Sequence, residues 1–147
     1  MAPYELQLIP AAETRYLRHV VLRPHQRPEE LVYPGDDAPD TAHFGLYVDE
    51  EQHGVASLYR VPRPGTKSTP EWRLRGMAVL ASNQGRGYGA VLLQACIEHA
   101  ALQGGTRLWC NARTTASGFY KRLGFAVEGA EFELPGIGPH YLMSRPL

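Results

Sequence analysis

The alternation of apolar and polar residues along the chain predicts a mixed order of strands and helices. Alternating or short apolar runs, typical of strands, cover residues 4–9, 43–48, 54–61, 72–80, 107–112, 125–134 and 140–143. Apolar residues at helical spacing cover residues 11–22, 87–103 and 116–123. Two proline-containing loops fill residues 24–41, with one helical turn at 28–31, and residues 62–70. This order predicts an α/β fold.

Two local patterns refine that prediction. The acidic run Asp49-Glu50-Glu51 separates two strand segments and indicates an antiparallel hairpin. Residues 72–75 alternate strictly, with Trp72 and Leu74 opposite Arg73 and Arg75, until Gly76 interrupts the strand. Since a glycine inside a strand often marks a bulge, we expect the strand to bend there.

Composition excludes several classes of protein. The 147 residues carry 15 basic and 15 acidic side chains, and this zero balance argues against a dedicated nucleic-acid binder. No apolar run reaches the roughly 20 residues of a membrane span, and the polar N-terminus does not resemble a signal peptide. The two cysteines, Cys96 and Cys110, fall at apolar positions and are predicted to be core residues. We therefore expect a single cytoplasmic domain over residues 1–147, with no nucleic-acid or membrane partner.

The strongest feature is the glycine-rich turn between the strand that ends near Leu80 and the helix that begins near Gly87. Glycine allows a sharp turn and a close approach by a ligand, and the first N–H groups of a helix attract anions. With Arg86 beside them, these groups predict a pyrophosphate pocket, unless the glycines serve chain geometry alone. A P-loop would need Lys followed by Ser or Thr at the end of the turn. A dinucleotide fingerprint would need a carboxylate about 20 residues later, and the region around Asn111 has none.

Two sequence blocks resemble the GCN5-related N-acetyltransferase (GNAT) family. Gln84-x-x-Gly87-x-Gly89, five residues after Val79, resembles the acyl-CoA signature of that family. Residues 116–125, with Tyr120 and the closing Gly124-Phe125, resemble its later motif. The resemblance implies a GNAT acyl-CoA N-acyltransferase fold, with a mixed, mostly antiparallel sheet and a splayed, bulged central strand flanked by helices.

The resemblance also implies a cofactor site and a catalytic acid. Acetyl-CoA would be the cosubstrate, with no metal, and Tyr120 would protonate the departing thiolate as well as border the cofactor. The residues implied in cofactor binding are Met77, Ala78, Val79, Gln84, Gly85, Arg86, Gly87, Tyr88, Gly89, Asn111 and Tyr120. One departure is Arg113, which stands seven residues before the tyrosine, where many members have asparagine. The contact usually made from that position is therefore in doubt.

The general base is less determined by the sequence. The candidates are Glu71, Glu131, Glu133, His43 and His140, and a chain of water molecules is an alternative. His140 is the first choice because histidine titrates near neutrality and the Gly136–Pro139 turn precedes it. Other charged groups are expected to be solvated: Arg15, Arg18 and Arg23 on the first helix, and Asp36, Asp37 and Asp40 in the long loop.

The sequence thus predicts an N-acetyltransferase that moves an acetyl group from acetyl-CoA to an amine, by direct attack, with a small-molecule acceptor. The alternative is a catalytically silent acyl-CoA-binding sensor or regulatory module. The acceptor's identity and homodimer formation are left open by the sequence.

Overall fold

The computed structural model describes residues 3–67, 70–81 and 87–147. Its seven strands are β1 (Glu5–Leu8), β2 (Ala42–Val48), β3 (Glu51–Tyr59), β4 (Glu71–Val79), β5 (Arg107–Arg113), β6 (Ala126–Leu134) and β7 (Gly138–Pro146). The helices are α1 over residues 11–22, α2 (Tyr88–Leu102) and α3 (Ser117–Arg122), with short 3₁₀ turns at Pro28–Glu30 and Thr114–Ala116. The predicted order of elements is confirmed.

All seven strands join one sheet, in the order β1-β2-β3-β4-β5-β7-β6. β4 and β5 pair in parallel, and every other neighbouring pair is antiparallel. The hairpin predicted at Asp49-Glu50-Glu51 is present, because β2 and β3 pair from Val48↔Glu51 onward. Asp49 and Glu50 take positive φ angles of 50° and 68° to make this tight reversal without a glycine.

α1 differs from the single α-helix that its spacing predicts. It begins as a 3₁₀ turn (Ala11–Thr14), continues as α-helix (Arg15–Leu17) and ends as π-helix (Arg18–Leu22). Thr14 Oγ1 donates to the Ala11 carbonyl at 2.6 Å, which fits the tight first turn. In the wide last turn, the Arg23 N–H bonds the Arg18 carbonyl at 2.9 Å. Leu17 and Arg18 are both fully buried.

The core lies chiefly between α2 and one face of the sheet. Trp72 and Leu74 of β4 pack there with Leu92, Cys96 and other buried residues of α2. The predicted burial of Cys96 and Cys110 is confirmed, and Trp72 and Trp109 are buried as well, each of the four being 3% exposed or less. Within the described ranges, no helix has the length and apolar character needed to cross a membrane.

β4 carries the bulge that Gly76 predicts. Two residue steps on β3, from Val55 to Ser57, face three steps on β4, from Ala78 to Arg75. Gly76 takes a φ of +66°, and an added Cβ would lie 3.2 Å from the Tyr33 ring. Both the backbone angle and the close approach require glycine, so the bulge position is set by this residue.

The expected solvation of Arg18 and Asp36 is wrong. The Arg18 side chain is 0% exposed and that of Asp36 is 1% exposed, and they form an ion pair at 2.7 Å. A second bond runs from Arg18 Nη2 to Asp36 Oδ1 at 3.0 Å. Arg18 lies on the buried face of α1, one turn after the buried Thr14 and next to the buried Leu17. Asp37 and Asp40 are exposed, as expected.

This ion pair joins α1, the long loop and β3. Arg18 also donates to the Leu31 carbonyl at 2.9 Å, Ser57 Oγ at 3.1 Å and Tyr59 Oη at 3.1 Å. Tyr59 Oη donates in turn to Asp36 Oδ1 at 2.5 Å. Burial alone would raise the pKa of Asp36, but the hydrogen bonds from Arg18, Tyr59 and the Tyr33 N–H lower it below the ordinary value.

We expect Asp36→Asn to reduce the free energy of unfolding at neutral pH by about 3–5 kcal/mol, because Arg18 would keep a buried charge without its partner. The lowered pKa of Asp36 means that its stabilisation is complete above the unfolded-state value, about 4, and is lost as the pH falls through the folded-state pKa. The difference between the two proteins should therefore shrink on acidification. Denaturant unfolding at several pH values measures it.

Asp37→Asn is the matched control, since Asp37 is adjacent and exposed. Its unfolding free energy should stay within about 0.5 kcal/mol of the parent protein. Equal losses for the two variants would contradict the assigned role of the buried pair.

Candidate active site

A cavity of about 660 Å³ opens where β4 and β5 part. The two strands pair only from Glu71↔Arg107 to Arg73↔Trp109. Beyond this point, β4 stays paired with β3 and β5 stays paired with β7, but β4 and β5 no longer pair with each other. The cavity walls come from both strands, the end of α1, α3 and the start of β7.

Six of the predicted site residues line this cavity. They are Met77, Ala78, Val79, Asn111, Tyr120 and His140. They come from four separate elements, and the parting of the strands brings them together. The pairing of β4 with β5 stops at Arg73, so backbone groups of Met77 and Ala78 on the edge toward β5 can pair with an extended ligand.

The N-terminus of α2 holds three further predicted residues, Gly87, Tyr88 and Gly89. Gly87 is the N-cap, with a left-handed φ of 83° that favours glycine. The first intrahelical bond runs from the Val91 N–H to the Gly87 carbonyl at 3.1 Å, so the N–H groups of residues 88–90 have no partner within the helix. Gln84, Gly85 and Arg86 lie outside the described residues.

Tyr88 and Gly89 also have packing roles. The Tyr88 side chain is 1% exposed and meets the Tyr4 ring edge-on, with 6.3 Å between ring centroids. A Cβ on Gly89 would touch the Phe119 ring of α3 at 3.5 Å. What these two residues offer a ligand is therefore their backbone N–H groups, which fits an anionic group at the end of the helix.

Tyr120 is held by α3 between two aromatic rings. The Phe119 and Phe125 rings pack edge-on against it at centroid distances of 5.1 and 5.4 Å. Its phenol lies near the Cys110 thiol, and each group affects the pKa of the other. Burial, together with the nearby thiols of Cys110 and Cys96, raises the pKa of Tyr120 well above its usual value near 10. The phenol therefore keeps its proton throughout the physiological pH range.

His140 lies at the start of β7 and is 4% exposed. It stands directly opposite Arg113 of β5 in the antiparallel register. Its Nδ1 is 2.8 Å from the Gly138 carbonyl oxygen. Because a carbonyl oxygen can only accept, Nδ1 must carry the proton in this bond. In the neutral ring, Nε2 is then an unprotonated acceptor.

The other candidate bases do not line the cavity. His43 is buried, with Nδ1 2.6 Å from Ser57 Oγ and Nε2 2.9 Å from the Asp36 carbonyl oxygen, so both nitrogens have partners. Glu71 binds Arg63 through both carboxylate oxygens at 3.0 Å. Burial raises the pKa of Glu71, but the bonds from Arg63 outweigh burial and lower it. Glu131 and Glu133 are exposed on β6.

Arginine side chains line the cavity as well. Arg73 and Arg75 were not predicted to belong to the site, and Arg23 was expected to be solvated on the first helix. Arg73 and Arg75 of β4, Arg23 at the end of α1, and Arg113 all contribute to the wall. The signal in the sequence was the alternation at residues 72–75, which places two arginines on the same face of an inner strand. Only the structure shows that this face meets the cavity.

The comparisons with known proteins agree with this geometry. A model of the acetyltransferase (GNAT) family matches residues 9–125. The chain is 34% identical over 143 residues to the uncharacterized N-acetyltransferase YitI of Bacillus subtilis (strain 168), covering 97% of this chain and 96% of the relative.

Solved structures show the same fold. Escherichia coli ElaA superimposes with a TM-score of 0.78 at 18% identity, covering 97% of this chain and 99% of that one. The ribosomal-protein-S18-alanine N-acetyltransferase of Escherichia coli gives a TM-score of 0.76 at 18% identity, covering 98% and 94% of the two chains. The predicted GNAT acyl-CoA N-acyltransferase fold is confirmed, and the chain belongs to the GNAT acetyltransferase family.

Proposed function

We propose that this acetyltransferase moves an acetyl group from acetyl-CoA to the amine of a small molecule, by direct attack within the β4–β5 cavity. The observation that carries the proposal is the convergence of Tyr120, His140 and the part of β4 beyond its pairing with β5 on that one cavity. Bound acetyl-CoA supplies the acetyl group as an activated thioester.

Two surfaces of the chain fit the cosubstrate. The backbone of Met77, Ala78 and Val79 would hydrogen-bond the extended pantetheine arm as a neighbouring strand does. The N–H groups at the start of α2 would receive the pyrophosphate, together with residues 84–86. Gly87 suits this place because its positive φ turns the chain directly into the helix.

Tyr120 would donate its proton to the departing thiolate. A phenol of raised pKa is a weak acid, so its fitness depends on the basicity of the group it protonates. Burial raises the pKa of the neighbouring Cys110 thiol to about 12. A thiolate released against the same wall would lose solvation as well, which raises its basicity and brings its pKa closer to that of the phenol.

His140 would accept the proton that the amine must lose before or during attack. An ammonium group has a reference pKa of about 10.4 and has no lone pair until it is deprotonated. Nε2 of His140 is the acceptor nitrogen of a ring fixed by its bond to the Gly138 carbonyl. A water between Nε2 and the amine would serve the same transfer.

Calorimetric titration with acetyl-CoA tests the binding part of the proposal. We expect saturable one-to-one binding that Gly87→Glu weakens strongly, since a carboxylate would repel the phosphates at the N-terminus of α2. Gly104→Glu is the matched control, because Gly104 has the same φ of 83° but follows the other end of α2, with open space around it. Equal affinity for the two variants would contradict the site.

We expect Tyr120→Phe to lower kcat by at least about tenfold while leaving acetyl-CoA affinity nearly unchanged, because the ring packing stays and only the proton donor is lost. Steady-state kinetics and calorimetry measure the two quantities. Tyr141→Phe is the control, since Tyr141 is partly buried on β7 but does not line the cavity. An unchanged kcat in Tyr120→Phe would remove this residue from the mechanism. Binding without turnover on any amine would instead favour the sensor module.

A further inference from the structure

The cavity wall is strongly positive. Its lining includes Arg23, Arg73, Arg75 and Arg113 and contains no aspartate or glutamate. All 15 acidic residues of the chain fall within the described ranges, so the remaining residues cannot add a carboxylate to this wall. A site for a simple cationic amine would be expected to carry the opposite charge.

Arg73 and Arg75 form the inner part of this charge. They are alternate residues of β4 and share the sheet face opposite Trp72 and Leu74, which pack against α2. The Arg73 guanidinium stacks over the Trp109 ring, 4.9 Å from its centroid. The Arg75 guanidinium stacks over the Tyr33 ring at 4.1 Å. Both are positioned by aromatic rings without any counter-charge.

Tyr33 is itself fixed from several sides. Arg18 lies over the same ring at 4.0 Å, and the Tyr33 N–H donates to Asp36 Oδ2 at 2.9 Å. The buried Arg18–Asp36 pair therefore also holds the platform on which Arg75 rests. A guanidinium held in this way loses little further freedom when it binds a planar anion.

Two other inner arginines, Arg18 and Arg63, have carboxylate partners. Arg18 is paired with Asp36, and Arg63 is paired with Glu71 and Glu128. Within the described ranges, Arg73 and Arg75 make no ion pair and no hydrogen bond through their side chains, and Arg73 Nε is buried without a partner. Burial, and secondly the charge of Arg75, lowers the pKa of Arg73. An anion in the cavity would relieve both effects.

The phosphates of the cosubstrate are poorly placed to be that anion. Their proposed site is the N-terminus of α2, beyond the carboxyl end of β4. Arg73 lies six residues before Val79, which corresponds to about 20 Å of extended strand. Arg73 and Arg75 instead lie on the sheet face where the amine acceptor would enter the cavity. Trp109, Asn111 and Arg113 alternate along β5 on that face, and His140 stands opposite Arg113.

We propose that Arg73 and Arg75 bind an anionic group on the acceptor, so that the substrate is a small amine that also carries a carboxylate or a phosphate. This proposal rests on the proposed acetyl transfer and narrows it to a substrate class. The anion would be held by the arginines of β4, with the amine directed toward Asn111 and His140. Protein lysines and simple polyamines lack such an anion and would be poor acceptors.

The test is a set of matched acceptors assayed for CoA release: the amino acids, their amides, the corresponding decarboxylated amines, and aminoalkyl phosphonates. We expect kcat/KM for the preferred anionic acceptor to exceed that for its neutral partner by about 10- to 100-fold, as for a lost charge-assisted bond. The carboxylates and phosphonates in the set distinguish the two kinds of anion.

Variants then assign the preference to the arginines. Arg75→Met should bring the ratio of kcat/KM for the anionic acceptor to kcat/KM for the neutral acceptor close to one. The change should come from a higher KM for the anionic acceptor, and acetyl-CoA affinity should be retained. Arg75→Lys should restore part of the ratio because it keeps the charge. Arg60→Met, at an exposed position outside the cavity, should leave the ratio unchanged.

A neutral acceptor used as well as its anionic partner would overturn the proposal, as would a ratio that survives in both Arg75→Met and Arg73→Met. Absence of transfer to every acceptor in the set would overturn it too. In that case the acetyl-CoA titration tells whether only the substrate class or the proposed function itself is wrong. If the parent protein binds acetyl-CoA and Gly87→Glu does not, the cosubstrate site stands and only the substrate class fails. If the parent protein does not bind acetyl-CoA, the proposed function fails.

Discussion

The parting of β4 and β5 is the constraint on which the rest of the structure depends. Three residue pairs hold these strands together at their N-terminal ends, and beyond them each strand pairs only with its other neighbour. The bulge at Gly76 bends β4 at the level where the gap opens, and glycine is required there by backbone angle and by contact with Tyr33. The two strands therefore stop pairing with each other at this gap, and the cavity opens between them. The cavity and its predicted residues all follow from this gap.

The inner arginines fall into two groups, which differ in whether a carboxylate neutralises them. Arg18 and Arg63 are neutralised by carboxylates and tie loops to the sheet. Arg73 and Arg75 are stacked on aromatic rings, line the cavity and contribute positive charge to it. The two groups meet at Tyr33, whose ring contacts both Arg18 and Arg75. The stability of the α1 region and the positive charge of the cavity are thus linked through the Tyr33 side chain.

The sequence predicted the elements and six residues that line the β4–β5 cavity, but not the charged network. Glycines, hydrophobic periodicity and the two motifs are local signals, and they located β4, α2, α3 and Tyr120. The Arg18–Asp36 pair depends on a loop that folds back onto α1, and such a contact leaves no periodic signature. Exclusion of His43 and Glu71 as bases likewise required their partners, Ser57 and Arg63, which are distant in sequence. Long-range polar contacts were therefore the part that only the structure supplied.

The central claim is that acetyl-CoA binds along β4 at the gap between β4 and β5. Amide hydrogen exchange, measured with and without acetyl-CoA, addresses this claim directly. Exchange should slow at Met77, Ala78 and Val79 and at the first residues of α2, while the outer strands β1 and β6 stay unchanged. Protection confined to another surface, or no change along β4 at saturating acetyl-CoA, would contradict the account.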